Sequence, residues 1–188
     1  MCGRYVFWED ELDDELQKIV YELHEKHPDL DLGSGEIVPS QQAPVLTAGL
    51  KPQLYTWGYP GFQGSRLLIN ARAETARTRP TFQESLYRRR CLAVATGYYE
   101  WSADHRPYLF RPEGGGGLYL AGLFQTDAQG QSRFVILTTE ASGSAARVHH
   151  RMPLLVPENR RRDWLENTAF AVRHLQAAMP QLTMQLYS

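Results

Sequence analysis

Cysteine is scarce in this chain, and the shortage excludes several readings at once. Cys2 and Cys91 are the only two among 188 residues, too few for a disulfide framework and without the paired spacing of a structural zinc site. Lysine is nearly as rare, supplying 3 of the 20 basic residues against 17 arginines. No apolar run approaches the roughly 18 residues that mark a membrane span. No basic start followed by an apolar stretch marks a secretory signal. The Gly114–Gly117 run lacks the Lys-Ser/Thr that would make it a phosphate-cradling loop. Net charge is −1, which gives no overall pull toward nucleic acid. The expectation is a cytoplasmic protein with no metal, no cofactor and no membrane contact.

What is present is ordinary in bulk and uneven in detail. Apolar residues at 43 % and charged residues at 22 % are globular values, and 188 residues suffice for one domain, 1–188, with a real core. No internal repeat or long linker divides it. Residues 1–50 hold 3 basic and 11 acidic side chains, whereas residues 51–188 hold 17 and 10. The Arg-rich remainder suits either a phosphate-binding face or a coding bias toward Arg.

Leu12, Leu16, Ile19, Val20 and Leu23 recur at helical spacing and predict an amphipathic helix over 9–27, stopped by Pro28. Glu9, Asp10 and Glu11 sit at its positive end. Short strands are expected at 36–38, 44–47 and 53–57, and a buried strand at 67–69 delivers Asn70. Thr81-Phe82-Gln83-Glu84 reads as a capping box opening a short helix, which ends in a solvated Arg88-Arg89-Arg90. Cys91–Ala95 is the next strand and leads straight into Gly97–Trp101. Residues 107–111 and 118–125 read as a hairpin around the glycine run, and 134–139 as a further strand. A loop with a short helix follows over 140–148, then helices at 159–167 and 170–179, and a last strand at 182–186. Many short strands joined mostly by hairpins, with few helices, predict an α+β domain whose sheet is largely antiparallel.

The chemistry begins at the start of the chain. If Met1 is removed, Cys2 carries an α-amine (reference pKa about 7.7–8.0) and a thiol (about 8.5) on neighbouring carbons. Such a pair can trap an aldehyde as a Schiff base and close a thiazolidine ring. Without that removal, Cys2 is one more small buried residue. Glu100, between Tyr99 and Trp101, has neighbours able to desolvate a carboxylate and raise its pKa toward neutrality, which suits a proton shuttle. His149 can protonate an oxygen near neutral pH. Asn70 offers a donor and an acceptor and moves no proton, so it either orients the amine or holds a hydroxyl. Trp57 reads as a core anchor or as a base-stacking surface.

Four stretches in order, Cys2-Gly3-Arg4-Tyr5, Asn70-Ala71-Arg72-Ala73-Glu74-Thr75, Gly97-Tyr98-Tyr99-Glu100-Trp101 and His149-His150-Arg151-Met152-Pro153, resemble the motifs of the SOS response-associated peptidase (SRAP) family. The resemblance implies a curved, barrel-like sheet with peripheral helices and one shallow groove where the four motifs meet. It implies Cys2, Asn70, Glu100 and His149 as catalytic residues. Arg4, Arg72 and Arg151 would clamp phosphates, Thr138 would donate to one, and Trp101 would stack on a base. Ile37-Val38-Pro39 resembles a family segment that carries a proline near the active site, and Trp57-Gly58 resembles the family's tryptophan. The family pattern of His, a variable residue, then Arg-Met-Pro selects His149 over His150. That variable position is usually Asp, and His150 is a departure.

The function so implied belongs to the DNA damage and SOS response: a monomeric sensor of abasic sites in single-stranded DNA. It would bond to them covalently through Cys2 and sit on the nucleoid while bound. Peptidase activity would be confined to the residue before Cys2. Two rivals stay open, an abasic-site lyase acting by β-elimination and a non-covalent reader of modified bases.

Overall fold

Two sheets share one extended stretch of chain. In the computed structural model, which describes residues 2–8, 14–28, 35–61 and 66–187, β6 (Arg90–Ala95) passes through Thr96 directly into β7 (Gly97–Trp101). β6 lies in one sheet and β7 in the other. Thr96 is buried at the join, donating its N–H to Val6 O at 2.7 Å and accepting from Trp8 N–H at 3.2 Å.

The first sheet closes on itself. β3 (Gln42–Thr47) pairs antiparallel with β4 (Lys51–Trp57), which runs parallel to β10 (Ser132–Glu140). β10 then pairs with β9 (Leu118–Thr126), β9 with β6, and β6 back with β3, all antiparallel. Closure removes the exposed edges of these five strands. Two short strands extend it at the far end of β10. Thr138 lies in register with Arg72 of β5 (Asn70–Arg72) and with Pro153 of β11 (Arg151–Pro153). The second sheet has the order β12 (Leu182–Leu186), β8 (Pro107–Pro112), β7, β1 (Tyr5–Val6), β2 (Glu36–Ile37). Among the described strand pairings only β4–β10 and β5–β10 are parallel, so the sheets are largely antiparallel, as the pattern of turns predicts.

The helices cover the barrel from outside. α1 (Asp14–Lys26) buries Leu16, Ile19 and Leu23 and packs on β4. The expected start of this helix, with Glu9–Leu12, lies outside the described residues. α3 (Arg161–Glu166) lies over β6, with Trp164 Nε1 donating to Cys91 O at 2.9 Å. α4 (Thr168–His174) follows it, with Asn167 capping its start by accepting from Phe170 N–H. None of the described helices is long and apolar enough to cross a membrane.

Four local expectations need correction. β8 and β9 do not form a hairpin: they belong to different sheets, and Gly114, Gly115 and Gly116 carry the chain across with φ between 86° and 88°, a region open to glycine at no steric cost. The capping box is unused. α2 runs Pro80–Arg88 with Arg79 at the N-cap and no side-chain cap bond, because Pro80 at the first turn already fits the helical φ and lacks one unsatisfied N–H. The strand expected at 67–69 begins instead at Asn70, leaving Leu68 with a single bridge to Tyr59. Finally, Arg90 is not solvated. It is buried, and its guanidinium donates to Trp164 O, Leu86 O and Leu165 O at 2.6–3.0 Å, tying α2 and α3 to β6.

Candidate active site

The first and third motifs meet because β1 lies between β2 and β7. Tyr5 pairs with Tyr98, and Arg4 O accepts from Tyr99 N–H at 3.0 Å. Two residues along β7 from Tyr98, Glu100 points to the same side of the sheet. Gly97 opens this motif for a packing reason: a Cβ there would stand 2.9 Å from Phe110 O. Cys2 is wholly buried and Glu100 is 2 % exposed. The two sense each other. Burial, and then the Glu100 carboxylate, hold the Cys2 thiol well above the usual thiol range. Burial pushes Glu100 up to about 7, partly offset by the positive charge at the chain's amino terminus. The hydroxyls of Tyr5 and Tyr98 are buried with no hydrogen-bond partner among the described residues.

The fourth motif is joined to the second across β10. The 3-10 turn Ala145–Arg147 sets His149, whose N–H donates to Ala145 O at 3.0 Å. Its Nδ1 lies 2.9 Å from Arg151 N–H and 3.2 Å from Arg151 O, so the Arg151 backbone can meet this nitrogen either as an acceptor, in the neutral ring, or as a donor, in the imidazolium. Burial, and then the amino-terminal charge, lower the His149 pKa, with His150 and Arg151 adding to the effect. Cys2 and Glu100 lie close enough for the carboxylate to act on the thiol. The His150 ring stands 4.3 Å from that of His149 and is solvent-exposed.

Asn70 enters through Trp57. The Trp57 ring is fully buried, 5.2 Å from Tyr5 and 6.3 Å from Phe134, and its Nε1 donates to Ile69 O at 2.9 Å. It therefore offers no face to a base; it anchors the core and fixes the backbone next to Asn70. Asn70 itself gives Nδ2 to Ile136 O at 3.5 Å, while its buried Oδ1 accepts from none of the described residues. That oxygen is an acceptor suited to an amine or a hydroxyl.

The expected DNA-facing residues divide. Arg72 is exposed. Arg4 is part-exposed, 3.2 Å from Glu36, with its guanidinium over the half-buried Trp101 ring at 5.4 Å. Pro39 is half-buried in the turn between β2 and β3. Thr138 is 1 % exposed, so its hydroxyl meets Arg151 rather than an open groove. Arg151 is also taken up. Nη1 and Nη2 form a fork on Glu74 at 2.6 and 2.9 Å, and Nη2 donates to Thr138 O at 2.5 Å and lies 3.3 Å from Thr138 Oγ1. Glu74 stands in the second motif, yet nothing in its local sequence shows that its partner lies 77 residues away.

A family model described as SOS response associated peptidase (SRAP) matches residues 1–188. The chain belongs to this family. Relatives within it include the abasic site processing protein YoqW of Bacillus subtilis, 27 % identical over 185 residues that cover 88 % of this chain and 80 % of YoqW. The abasic site processing protein YedK of Escherichia coli is 30 % identical over 119 residues, 58 % of this chain and 52 % of YedK. The fold recurs in a solved protein of Bacteroides thetaiotaomicron, with TM-score 0.78, 20 % identity, and coverage of 100 % of this chain and 92 % of that one. A phage-related protein of Bordetella bronchiseptica gives 0.73 at 25 % identity, covering 99 % of this chain and 94 % of that one. These SRAP-type folds share the barrel that positions the four motifs here.

Proposed function

We propose that this chain processes abasic sites in single-stranded DNA and bonds to them covalently through Cys2 once Met1 is removed. The observation that carries the reading is the buried Cys2–Glu100 pair, with Glu100 pushed up to about 7 and so available as acid and base near neutrality. The abasic sugar is mainly a closed hemiacetal; a proton from His149 onto the ring oxygen opens it to the aldehyde. The Cys2 amine adds to the carbonyl carbon, and water leaves to give an imine. Glu100 then takes the thiol proton, sulfur adds to the imine carbon, and the proton returns to nitrogen. One water is lost overall. The raised thiol pKa means that sulfur waits for Glu100, so the amine reacts first.

Arg72 and Arg4 hold the phosphates, and Trp101 stacks on a neighbouring base. A single strand suits this site because the lesion need not be unpaired. The chain acts as a monomer in this reading, and its peptidase activity is limited to residues before Cys2. The test is adduct formation by Cys2→Ser, which keeps the amine and loses the thiol. It should give imine chemistry and strand breakage but no heat-stable crosslink without borohydride. A heat-stable crosslink from Cys2→Ser excludes the thiazolidine. Turnover with broken strands from the unaltered protein assigns a lyase instead.

A further inference from the structure

Glu74 is the residue of the site that the proposed chemistry leaves without a task, and its placement is specific. It follows β5 in the 3-10 turn Ala73–Thr75, on one side of β10, while Arg151 starts β11 on the other. Their ion pair therefore spans β10 above Thr138. Arg151 is only 11 % exposed in its side chain, whereas Glu74 is 47 % exposed. Two parallel N–H donors meet two carboxylate oxygens, the geometry in which an arginine is most fixed in direction. The residue so fixed also presents its backbone N–H to His149 Nδ1 at 2.9 Å.

Counting donors shows what this costs the DNA side. Nη2 is committed to Glu74 and Thr138, one Nη1 hydrogen goes to Glu74, and Nε is buried without a partner among the described residues. No fork remains for a phosphate, and the paired charges cancel at a distance. An arginine serving only as a phosphate clamp would be better without Glu74.

We infer that Glu74 is a positioning residue, holding Arg151 across β10 so that the Arg151 backbone, with both its N–H and its O at His149 Nδ1, fixes the direction of the His149 ring, at the expense of DNA affinity. The role rests on the abasic-site reading for its purpose, while the geometry it asserts is independent of that reading. A merely structural ion pair would weaken binding and reaction together when cut. A positioning pair moves them in opposite directions.

The experiment compares the full-length chain with Glu74→Gln and Glu74→Ala. Three readouts are taken: binding of an undamaged single-stranded oligonucleotide against salt, adduct rate at saturating abasic oligonucleotide, and the ¹⁵N shifts of the His149 ring. Binding should tighten about threefold or more at low salt, and its log–log salt slope should steepen by about 0.7, one more phosphate contact on a single strand. The adduct rate should fall about tenfold, the size of loss that a small misplacement produces. The ¹⁵N shift of Nδ1 should move as its two contacts with the Arg151 backbone loosen. Glu74→Gln keeps the side chain's shape, so it decides the matter if the Ala variant is poorly folded. Weaker binding together with a slower rate, or an unchanged Nδ1 shift in both variants, overturns the inference. If the unaltered protein forms no adduct, the abasic-site reading fails, and the binding and ¹⁵N readouts still decide the role of Glu74.

Discussion

Two carboxylates on neighbouring parts of this molecule are moved in opposite directions. Glu100 lies buried on β7, where loss of water pushes it up to about 7. Glu74 lies at the open end of β10, where hydrogen bonds from Arg151 hold it below the usual carboxylate range. The first region controls protons by removing water, and the second fixes direction by pairing charges. The proposed reaction, an acid–base group near neutrality beside a phosphate-bearing strand, calls for both. Exchanging the two devices would leave Glu100 permanently ionised and Arg151 free to turn.

The largest effect that separates the regions is expected from Glu100→Gln. Without the shuttle the adduct rate should fall about 10²–10⁴-fold, while binding to undamaged single strands stays nearly constant. Stability should move the other way. Burial favours the protonated acid in the folded chain, so Glu100 costs nothing below its ordinary value of 4.5 and destabilises as pH rises through about 7. Above pH 8 the cost is about 3 kcal/mol. Glu100→Gln should then melt roughly 6–12 °C higher at pH 8.5, and no higher at pH 4. A scanning calorimetry series across pH checks this, and an unchanged difference at both ends would mean that Glu100 is not desolvated.

Next in size is the pH behaviour of His149. Burial and the positive charges around it disfavour the imidazolium, so its protonated form is lost as pH rises through a value below 6.5. The ratio of adduct rates, unaltered protein over His149→Gln, removes every other titration. It should be largest in acid and fall about tenfold per pH unit above that pKa. His150→Gln should leave the ratio's shape intact. A flat ratio would mean that solvent opens the sugar ring.

How much of this was open to reading in the chain depends on distance along it. The four motifs are each contiguous, and the strands β1, β5, β7 and β11 that carry them are short enough to deliver one or two side chains apiece. The helix of Leu16, Ile19 and Leu23 is also a local pattern. What the sequence hid depends on partners far apart. Arg90 resembles the solvated end of α2 until the carbonyls of Trp164 and Leu165 arrive from 74 and 75 residues away. Trp57 could be anchor or platform until Tyr5 and Phe134 close over it. The glycine run carries a turn signal of the kind a hairpin needs, and only the pairing of β8 with β7 and β12 shows that it belongs to a different sheet from β9.

The smallest effects are expected at the two arginines first assigned to phosphates, Arg72 and Arg151. Arg72→Ala should weaken binding to undamaged single strands and reduce the log–log salt slope by about 0.7. Arg151→Ala should reduce it less, since Glu74 already neutralises that charge. Equal slopes for both variants in a fluorescence titration would place Arg151 on a phosphate directly and remove the contrast between the two regions.

Intact mass spectrometry of the protein, alone and after mixing with an abasic oligonucleotide, reads the chemistry at Cys2 most directly. The free protein should lack Met1, and the product should weigh the sum of protein and oligonucleotide less one water, surviving heat without reductant. A product with Met1 retained, or no mass shift alongside intact DNA, would contradict covalent capture by Cys2.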